Sequence, residues 1–237
     1  MKVLFQIQRF NPQTDPSPHW ESYNLELMEN QTVLDGLISI QEEQDGSLAF
    51  RRSCRSAICG SCAMFINGAH RLACKTGIGT LNTDQVFVSP LPHLAVLKDL
   101  VVDMAPFFQR YEQILPYLVT KSPAPERERL QSPEQRRAIT EMIDCILCGA
   151  CYSACPMVWT DREYIGPAAL TKAYRFVADS RDEGAEERLK IVDSPHGVWR
   201  CHTIHNCARA CPKNINPTWS IQELKKKVVA KKLRFWR

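Results

Sequence analysis

The cysteines of this chain stand in three groups, and their spacing is that of ligands to iron-sulfur clusters. The sequence contains eleven cysteines in 237 residues. One run has the spacing C-x2-C-x2-C-x3-C-P and consists of Cys145, Cys148, Cys151, Cys155 and Pro156. A second run has the same spacing with one exception and consists of Cys201, Ile204, Cys207, Cys211 and Pro212. In such a run three thiolates bind one cluster, and the fourth binds the neighbouring cluster.

The two runs together predict two clusters of different iron content. Exchange of the fourth cysteines gives a complete ligand set for a 4Fe-4S cluster, namely Cys145, Cys148, Cys151 and Cys211. In the second run Ile204 stands where the middle thiolate belongs. The remaining set therefore lacks one iron ligand and predicts a 3Fe-4S cluster on Cys155, Cys201 and Cys207.

The other cysteines predict a third cluster of another type. They have the plant-type spacing C-x4-C-x2-C with a distant fourth ligand and are Cys54, Cys59, Cys62 and Cys74. This spacing suits a 2Fe-2S cluster. Gly60 and several small residues surround Cys59, as expected of a backbone that bends its amides toward sulfur. The three sets use all eleven cysteines.

Disulfides, structural zinc and buried thiols are the alternative interpretations of these cysteines. Disulfides are disfavoured because the number of cysteines is odd and the amino terminus lacks the features of a signal peptide. Zinc would favour two separated C-x2-C pairs, whereas these runs place four thiolates on one tight turn and the start of a helix. Iron-sulfur chemistry is therefore the prediction.

Composition indicates an ordinary globular chain, with 44% hydrophobic and 24% charged residues. Its length suits one large or two small domains, and the grouping of the cysteines favours two. A net charge of +4 is too small to indicate nucleic-acid binding. No apolar run is long enough to cross a bilayer. Reduced thiolates favour the cytoplasm or an equivalent compartment, and a processed organellar chain would have a similar sequence. The basic closing stretch 225–237, which ends in Phe235-Trp236, suits either anionic headgroups at a membrane surface or a solvated helix face.

The first domain is predicted to span residues 1–98. Side chains alternate between apolar and polar over 2–10 and 22–28, which predicts two strands, and Thr32 begins a helix. The cluster loop follows, then further strands up to Val86-Phe87-Val88. This order of elements is that of a β-grasp, plant-type ferredoxin domain.

The second domain is predicted to span residues 99–237 and to be all-α, as in bacterial-type two-cluster ferredoxins. Apolar residues recur at helical spacing from Leu97 to Phe108, which places the change to helices near Leu97. Further helix starts are predicted at Ser132-Pro133 and at Asn216-Pro217. The fold class is therefore α+β. No catalytic triad, P-loop or dinucleotide-binding glycine pattern occurs, so no catalytic residue is predicted on this chain.

Nearly the whole chain resembles the iron-sulfur subunit of succinate dehydrogenase and quinol:fumarate reductase, the respiratory complex II family. The segments that carry the resemblance are 51–62, 145–156, 166–170, 173–182 and 201–212. The resemblance implies three clusters in line between a flavoprotein that bears FAD and membrane anchor subunits, with or without haem b. It implies a peripheral location on the cytoplasmic face of the cell membrane.

The resemblance also implies a quinone pocket beside the 3Fe-4S cluster, formed by Pro156, Trp159, His202 and Ile204, with the Trp159 indole as hydrogen-bond donor. Without the resemblance, Trp159 is interpreted as a packing residue and His202 as a surface histidine. The chain departs from the family pattern because a single tryptophan follows Cys155-Pro156 and the stretch to Gly166 is one residue shorter.

The function predicted from these features is electron transfer in a succinate:quinone oxidoreductase. The nearest alternative is the same subunit in a quinol:fumarate reductase. An iron-sulfur subunit like that of heterodisulfide reductase or glycolate oxidase would share the paired runs, but Ile204 and the 2Fe-2S loop speak against it. A free soluble ferredoxin would be expected to be short and acidic, and this chain is neither.

Overall fold

A computed structural model describes residues 1–234, with the backbone alone at Arg234, and it divides into two compact units. The first comprises Met1–Met104 together with Ile146–Ala154, and the second comprises Ala105–Cys145 and the chain from Cys155 onward. The predicted boundary between the two domains, at residues 98 and 99, stays a prediction. Phe235-Trp236, the end of the basic stretch predicted to meet either membrane headgroups or solvent, lies outside the described residues.

The first unit is built on a mixed five-stranded sheet. Its strands are β1 (Lys2–Arg9), β2 (His19–Glu26), β3 (Ala63–Ile66), β4 (Ala69–Leu72) and β5 (Gln85–Ser89). Their order is β2-β1-β5-β3-β4, with β1 parallel to β5 and the other pairs antiparallel. The alternating side chains of β1 bury Val3, Phe5 and Ile7 on one face, as the period-two pattern predicts. The predicted strand-rich domain is confirmed.

Helix α1 (Val33–Ser39) packs on the buried face of this sheet and continues as a π-helical turn over Ile40–Gln44. The Thr32 hydroxyl accepts from the Asp35 amide, while the Asp35 carboxylate accepts from the Thr32 amide. This reciprocal cap confirms the predicted helix start. A Cβ at Gly36 would lie 2.4 Å from the Phe5 ring, so glycine is what lets the helix approach β1.

The helix predicted from Leu97 is wrong over its first part. Two short strands, β6 (Val96–Lys98) and β7 (Val101–Val102), form a hairpin there, and helix begins only at Ala105. Asp99 turns the chain at φ 46°, and its buried carboxylate accepts from the amides of Phe10 and Ala49. These contacts with distant segments outweigh the helical spacing of the apolar residues.

The remaining helices are α2 (Ala105–Glu112), α3 (Pro133–Arg137), α4 (Thr140–Ile143), α5 (Ala150–Ser153), α6 (Pro156–Thr160), α7 (Pro167–Val177), α8 (Ala185–Val192), α9 (Asn206–Arg209) and α10 (Pro217–Arg234). Short 3-10 turns cover Ala73–Lys75, Ile78–Leu81 and Val198–Arg200. All except α5 and the first two turns belong to the second unit.

The core of the second unit lies where α7 packs against α10 and α8. Leu170 and Ala173 of α7 and Leu224 of α10 are completely buried, so this side of α7 is a packing face. The helix starts predicted at Pro133 and Pro217 are confirmed. Among the described residues, no helix combines the length and the apolar character that a membrane span requires.

Candidate metal centres

The loop that carries Cys54 and Cys59 directs backbone amides at cysteine sulfurs. The amides of Ser56, Ile58 and Cys59 donate to the Cys54 sulfur at 3.3–3.4 Å. The Ala57 amide donates to the Cys74 sulfur at 3.3 Å, although Cys74 lies after β4. Amide donors of this kind stabilise negative charge on thiolates and on sulfide, so the loop fits a 2Fe-2S cluster.

Left-handed backbone shapes this loop. Arg55 and Ala57 have φ near 55°, and Gly60 has φ 74°. These turns make successive amides face inward rather than alternate. A Cβ at Gly60 would lie 2.8 Å from the Cys148 side chain and 3.0 Å from the Ile146 carbonyl oxygen. The 2Fe-2S loop therefore contacts the segment that carries Cys148, within the first unit.

The thiols of this loop lie in contrasting surroundings. Hydrogen bonding from the Ser61 side chain, with help from the Cys54 amide, lowers the pKa of the exposed Cys59. Burial raises the pKa of Cys62, which interacts with Cys74. The Cys59 thiol therefore loses its proton more readily than the buried Cys62 thiol does.

Cys155, Cys201 and Cys207 line one small cavity of the second unit. Its walls come from α6, α9, α10, the start of α7 and the loop before α9. The other residues lining it are Pro156, Met157, Tyr164, Pro167, His202, Thr203, Ile204, His205, Asn206, Thr218 and Ile221. The structure therefore brings together the three cysteines predicted to hold the 3Fe-4S cluster, with Ile204 beside them.

The sulfurs of Cys155 and Cys207 in this cavity take part in hydrogen bonds, and Cys207 is buried. Burial raises the pKa of Cys155, although the amides of Met157 and Val158 donate to it and act in the opposite direction. Burial likewise raises the pKa of Cys207, which the Thr218 hydroxyl contacts at 3.3 Å. Buried thiols with converging donors are suited to binding iron as thiolates, so the residues present fit the cluster.

Three of the four predicted quinone-pocket residues lie at one cavity. Pro156, His202 and Ile204 line the cavity. Trp159 lies on the same short helix as Pro156 but is not among the residues lining the cavity, and its side chain is 41% exposed. Sequence reasoning did not single out Thr218, which only folding of α10 brings to Cys207.

The loop after Trp159 is fixed by charged residues. Nδ1 of His196 lies 2.8 Å from Asp161 and its Nε2 lies 3.0 Å from Glu163. Arg200 contacts Asp161 at 3.3 Å and donates to the Thr160 hydroxyl. Although burial raises the pKa of Asp161, the hydrogen bond to His196 and other contacts hold it below its usual value. These contacts fix the carboxyl end of α6.

The four cysteines predicted for the 4Fe-4S cluster belong to different units. Cys148 and Cys151 lie in the first unit, while Cys145 and Cys211 lie in the second. The Ile215 amide donates to the Cys211 sulfur at 3.4 Å. No three His, Cys, Asp or Glu side chains of the described residues converge on a single metal ion. Cluster ligands need not do so, because each thiolate binds a different iron.

Family models match both parts of the chain. Residues 4–109 match a 2Fe-2S iron-sulfur cluster binding domain, and residues 141–215 match a 4Fe-4S dicluster domain. These matches confirm the predicted α+β fold class, with a strand-rich 2Fe-2S domain followed by a helical two-cluster domain.

Curated relatives extend over nearly the full length. The succinate dehydrogenase iron-sulfur subunit of Paracoccus denitrificans is 44% identical over 95% of this chain and 87% of its own. The mitochondrial succinate dehydrogenase [ubiquinone] iron-sulfur subunit of Candida glabrata is 45% identical over 94% of this chain and 90% of its own. The chain belongs to the family of succinate dehydrogenase iron-sulfur subunits.

A solved structure agrees with this family membership. A chain of the Mycobacterium smegmatis Sdh1 complex in the apo form superposes with a TM-score of 0.88 at 26% identity, covering 98% of this chain and 97% of that one. As a succinate dehydrogenase iron-sulfur subunit, the chain is an electron-transfer component of a membrane-associated oxidoreductase complex. The predictions of family and of electron transfer are confirmed.

Proposed function

We propose that this chain passes electrons from a FAD-bearing flavoprotein subunit through three iron-sulfur clusters to a membrane quinone, in a succinate:quinone oxidoreductase. The observation that carries the proposal is the contact between Gly60 of the 2Fe-2S loop and Cys148 of the next cysteine run. A glycine at this contact keeps two cysteine segments at van der Waals distance. Short separation is what one-electron transfer between successive centres requires.

The ligand sets follow the spacing of the cysteines. The proposed 2Fe-2S ligands are Cys54, Cys59, Cys62 and Cys74. The proposed 4Fe-4S ligands are Cys145, Cys148, Cys151 and Cys211. The proposed 3Fe-4S ligands are Cys155, Cys201 and Cys207, and their common cavity supports this set. When bound, such clusters accept and release one electron at a time.

The chain itself supplies positions and hydrogen bonds rather than substrate chemistry. Loop amides face the sulfurs of Cys54 and Cys74, and the amides at the start of α6 face Cys155. Such donors tune the potential at which each centre takes an electron. The dicarboxylate is oxidised on the partner flavoprotein, since the sequence offers no motif for that reaction.

Quinone is proposed to accept electrons beside the cavity of Cys155, Cys201 and Cys207. Pro156, His202 and Ile204 line that cavity, and His202 and Ile204 are exposed at its outer side. Trp159 is proposed to donate from its indole to a quinone carbonyl. The exposed side of the cavity, at His202 and Ile204, would face the anchor subunits. The chain would be bound peripherally at the cytoplasmic face of the membrane.

The inventory of clusters and partners tests the proposal. The complex purified from membranes should contain about nine irons per copy of this chain, from clusters of two, four and three irons. The oxidised sample should give the paramagnetic resonance signal of a 3Fe-4S centre, and dithionite should develop the 2Fe-2S signal. A larger flavoprotein and small membrane subunits should copurify. Zinc in place of iron, or about four irons, would contradict the proposal.

A further inference from the structure

One hydroxyl group is buried against a cysteine of the proposed 3Fe-4S site. Thr218, in the first turn of α10, is 2% exposed, and its Oγ1 lies 3.3 Å from the Cys207 sulfur. The other hydroxyl-bearing residues lining this cavity are the exposed Thr203, which accepts from Gln222, and the buried Tyr164. Thr218 thus places a buried hydroxyl against the sulfur of a proposed cluster ligand in this cavity.

The position of Thr218 in its helix leaves the hydroxyl available for sulfur. A buried threonine inside a helix commonly donates to the carbonyl four residues earlier, as Thr171 does to Pro167 at 2.8 Å. The residue four positions before Thr218 is Asn214, which precedes α10 and has φ 58°. The carbonyl of Asn214 is not part of the helix, so the Thr218 hydroxyl does not form the usual hydrogen bond to the carbonyl oxygen four residues earlier.

The direction of the hydrogen bond follows from the chemistry of the sulfur. In the metal-free protein either the thiol or the hydroxyl can donate. A cysteine bound to iron is a thiolate without a hydrogen, so the hydroxyl of Thr218 must then donate. A donor at a ligand sulfur withdraws electron density and stabilises the reduced state more than the oxidised state.

We propose that the Thr218 hydroxyl raises the reduction potential of the cluster held by Cys155, Cys201 and Cys207. The higher potential makes this cluster a better acceptor of the electrons that then pass to quinone. The inference rests on the proposed function, because it assumes an iron cluster at these cysteines. Thr218 acts through the ligand Cys207 and is a positioning residue.

Redox titration of the assembled complex, followed by the 3Fe-4S resonance signal, tests the proposal. Thr218→Val removes the hydroxyl and keeps the branched shape. At the wild-type midpoint we expect its ratio of reduced to oxidised cluster to be roughly tenfold lower, a shift of about 59 mV for a one-electron couple. Thr218→Ser should stay close to wild type. Thr171→Val is the matched control for losing a buried hydroxyl, and the 2Fe-2S potential of each sample is an internal reference.

The outcomes separate this inference from the proposed function. An unchanged midpoint in Thr218→Val, or an equal drop in Thr218→Ser, overturns the role of the hydroxyl. If the valine variant loses its cluster, Thr218→Ser and Thr218→Ala provide a second pair that differs by the hydroxyl alone. Loss of the cluster from both valine and alanine variants, with retention in serine, assigns the hydroxyl to holding the cluster and overturns tuning. Absence of the 3Fe-4S signal from the wild-type complex contradicts the proposed function itself.

Discussion

Arg188 and Asp182 form an ion pair in which both side chains are completely buried, with Nη1 and Oδ1 2.5 Å apart. The guanidinium also donates to the carbonyl oxygens of Ile114, Leu115 and Tyr117 and lies 4.6 Å from the centre of the Phe176 ring. One side chain of α8 therefore joins α7 and the turn after α2 within the second unit.

Arg188→Met should destabilise this unit by about 3–5 kcal/mol, because it leaves the Asp182 carboxylate buried and unpaired. The midpoint of thermal unfolding of the purified complex, followed by loss of cluster absorbance, measures the effect. Lys121→Ala is a matched control, since it breaks the exposed pair with Glu187 and should change little. Equal shifts in the two variants would show that burial of the pair is not what matters.

Glu183 fixes the segment at Lys121 and Ser122 by accepting from both amides and from the Ser122 hydroxyl. The Ser122 hydroxyl and the two amides lower the pKa of Glu183 to about 2, from 4.5. A depressed carboxyl pKa adds stability that is complete above the unfolded value and is lost as pH falls toward the folded one. The urea midpoint of wild type should exceed that of Glu183→Gln by a constant amount from about pH 7 to 5 and by less below about pH 4.5. A difference already lost at pH 5 would contradict this assignment.

Ile204→Cys should restore the missing corner ligand, because Ile204 lines the cavity with Cys155, Cys201 and Cys207. We expect a 4Fe-4S cluster there, with a lower potential from the added thiolate charge. Quinone reduction should slow while succinate oxidation with an artificial dye is retained. Ile204→Val, which adds no thiol, should keep the 3Fe-4S signal. The same signal in a well-folded Ile204→Cys variant would mean that another feature closes the corner.

Trp159→Phe should weaken quinone binding by about 1–3 kcal/mol, the cost of a buried hydrogen bond left unmade. Quinone reductase activity should fall, while dye reduction and the content of clusters stay unchanged. Trp199→Phe is the control, since Trp199 is equally exposed at 41% and donates to Asp193 instead. Unaltered quinone kinetics in Trp159→Phe would agree with its position outside the cavity lining and assign it to packing.

Local sequence signals predicted most of the fold. The alternation in β1, the reciprocal cap of Thr32 and Asp35, and proline at the starts of α3 and α10 each depend on neighbours in sequence, and each is confirmed. The hairpin at Asp99 was missed because its stabilising partners, Phe10 and Ala49, lie far away in the chain. Spacing alone cannot reveal such contacts.

The candidate site likewise contains residues that the sequence predicted and residues that only the folded structure reveals. The cysteine sets and Ile204 follow from spacing, and the cavity brings Cys155, Cys201 and Cys207 together. The contact of Thr218 with Cys207 carries no signal in the sequence, since a threonine near a helix start is common. The contact of Gly60 with Cys148 gives only a weak signal, a glycine among small residues.

The order of folding during synthesis is constrained by the segment Ile146–Ala154, which belongs to the first unit although many residues of the second precede it. Within that unit, Gly60 packs against Cys148, and the Ser153 hydroxyl donates to the Pro92 carbonyl at 2.7 Å. A nascent chain that has emerged only as far as Met104 lacks these contacts. Domains usually mature on the ribosome from the amino terminus onward. Here the strand-rich unit cannot be completed until residues 105–145 of the second unit have already emerged, so its folding must wait for the synthesis of part of the second unit.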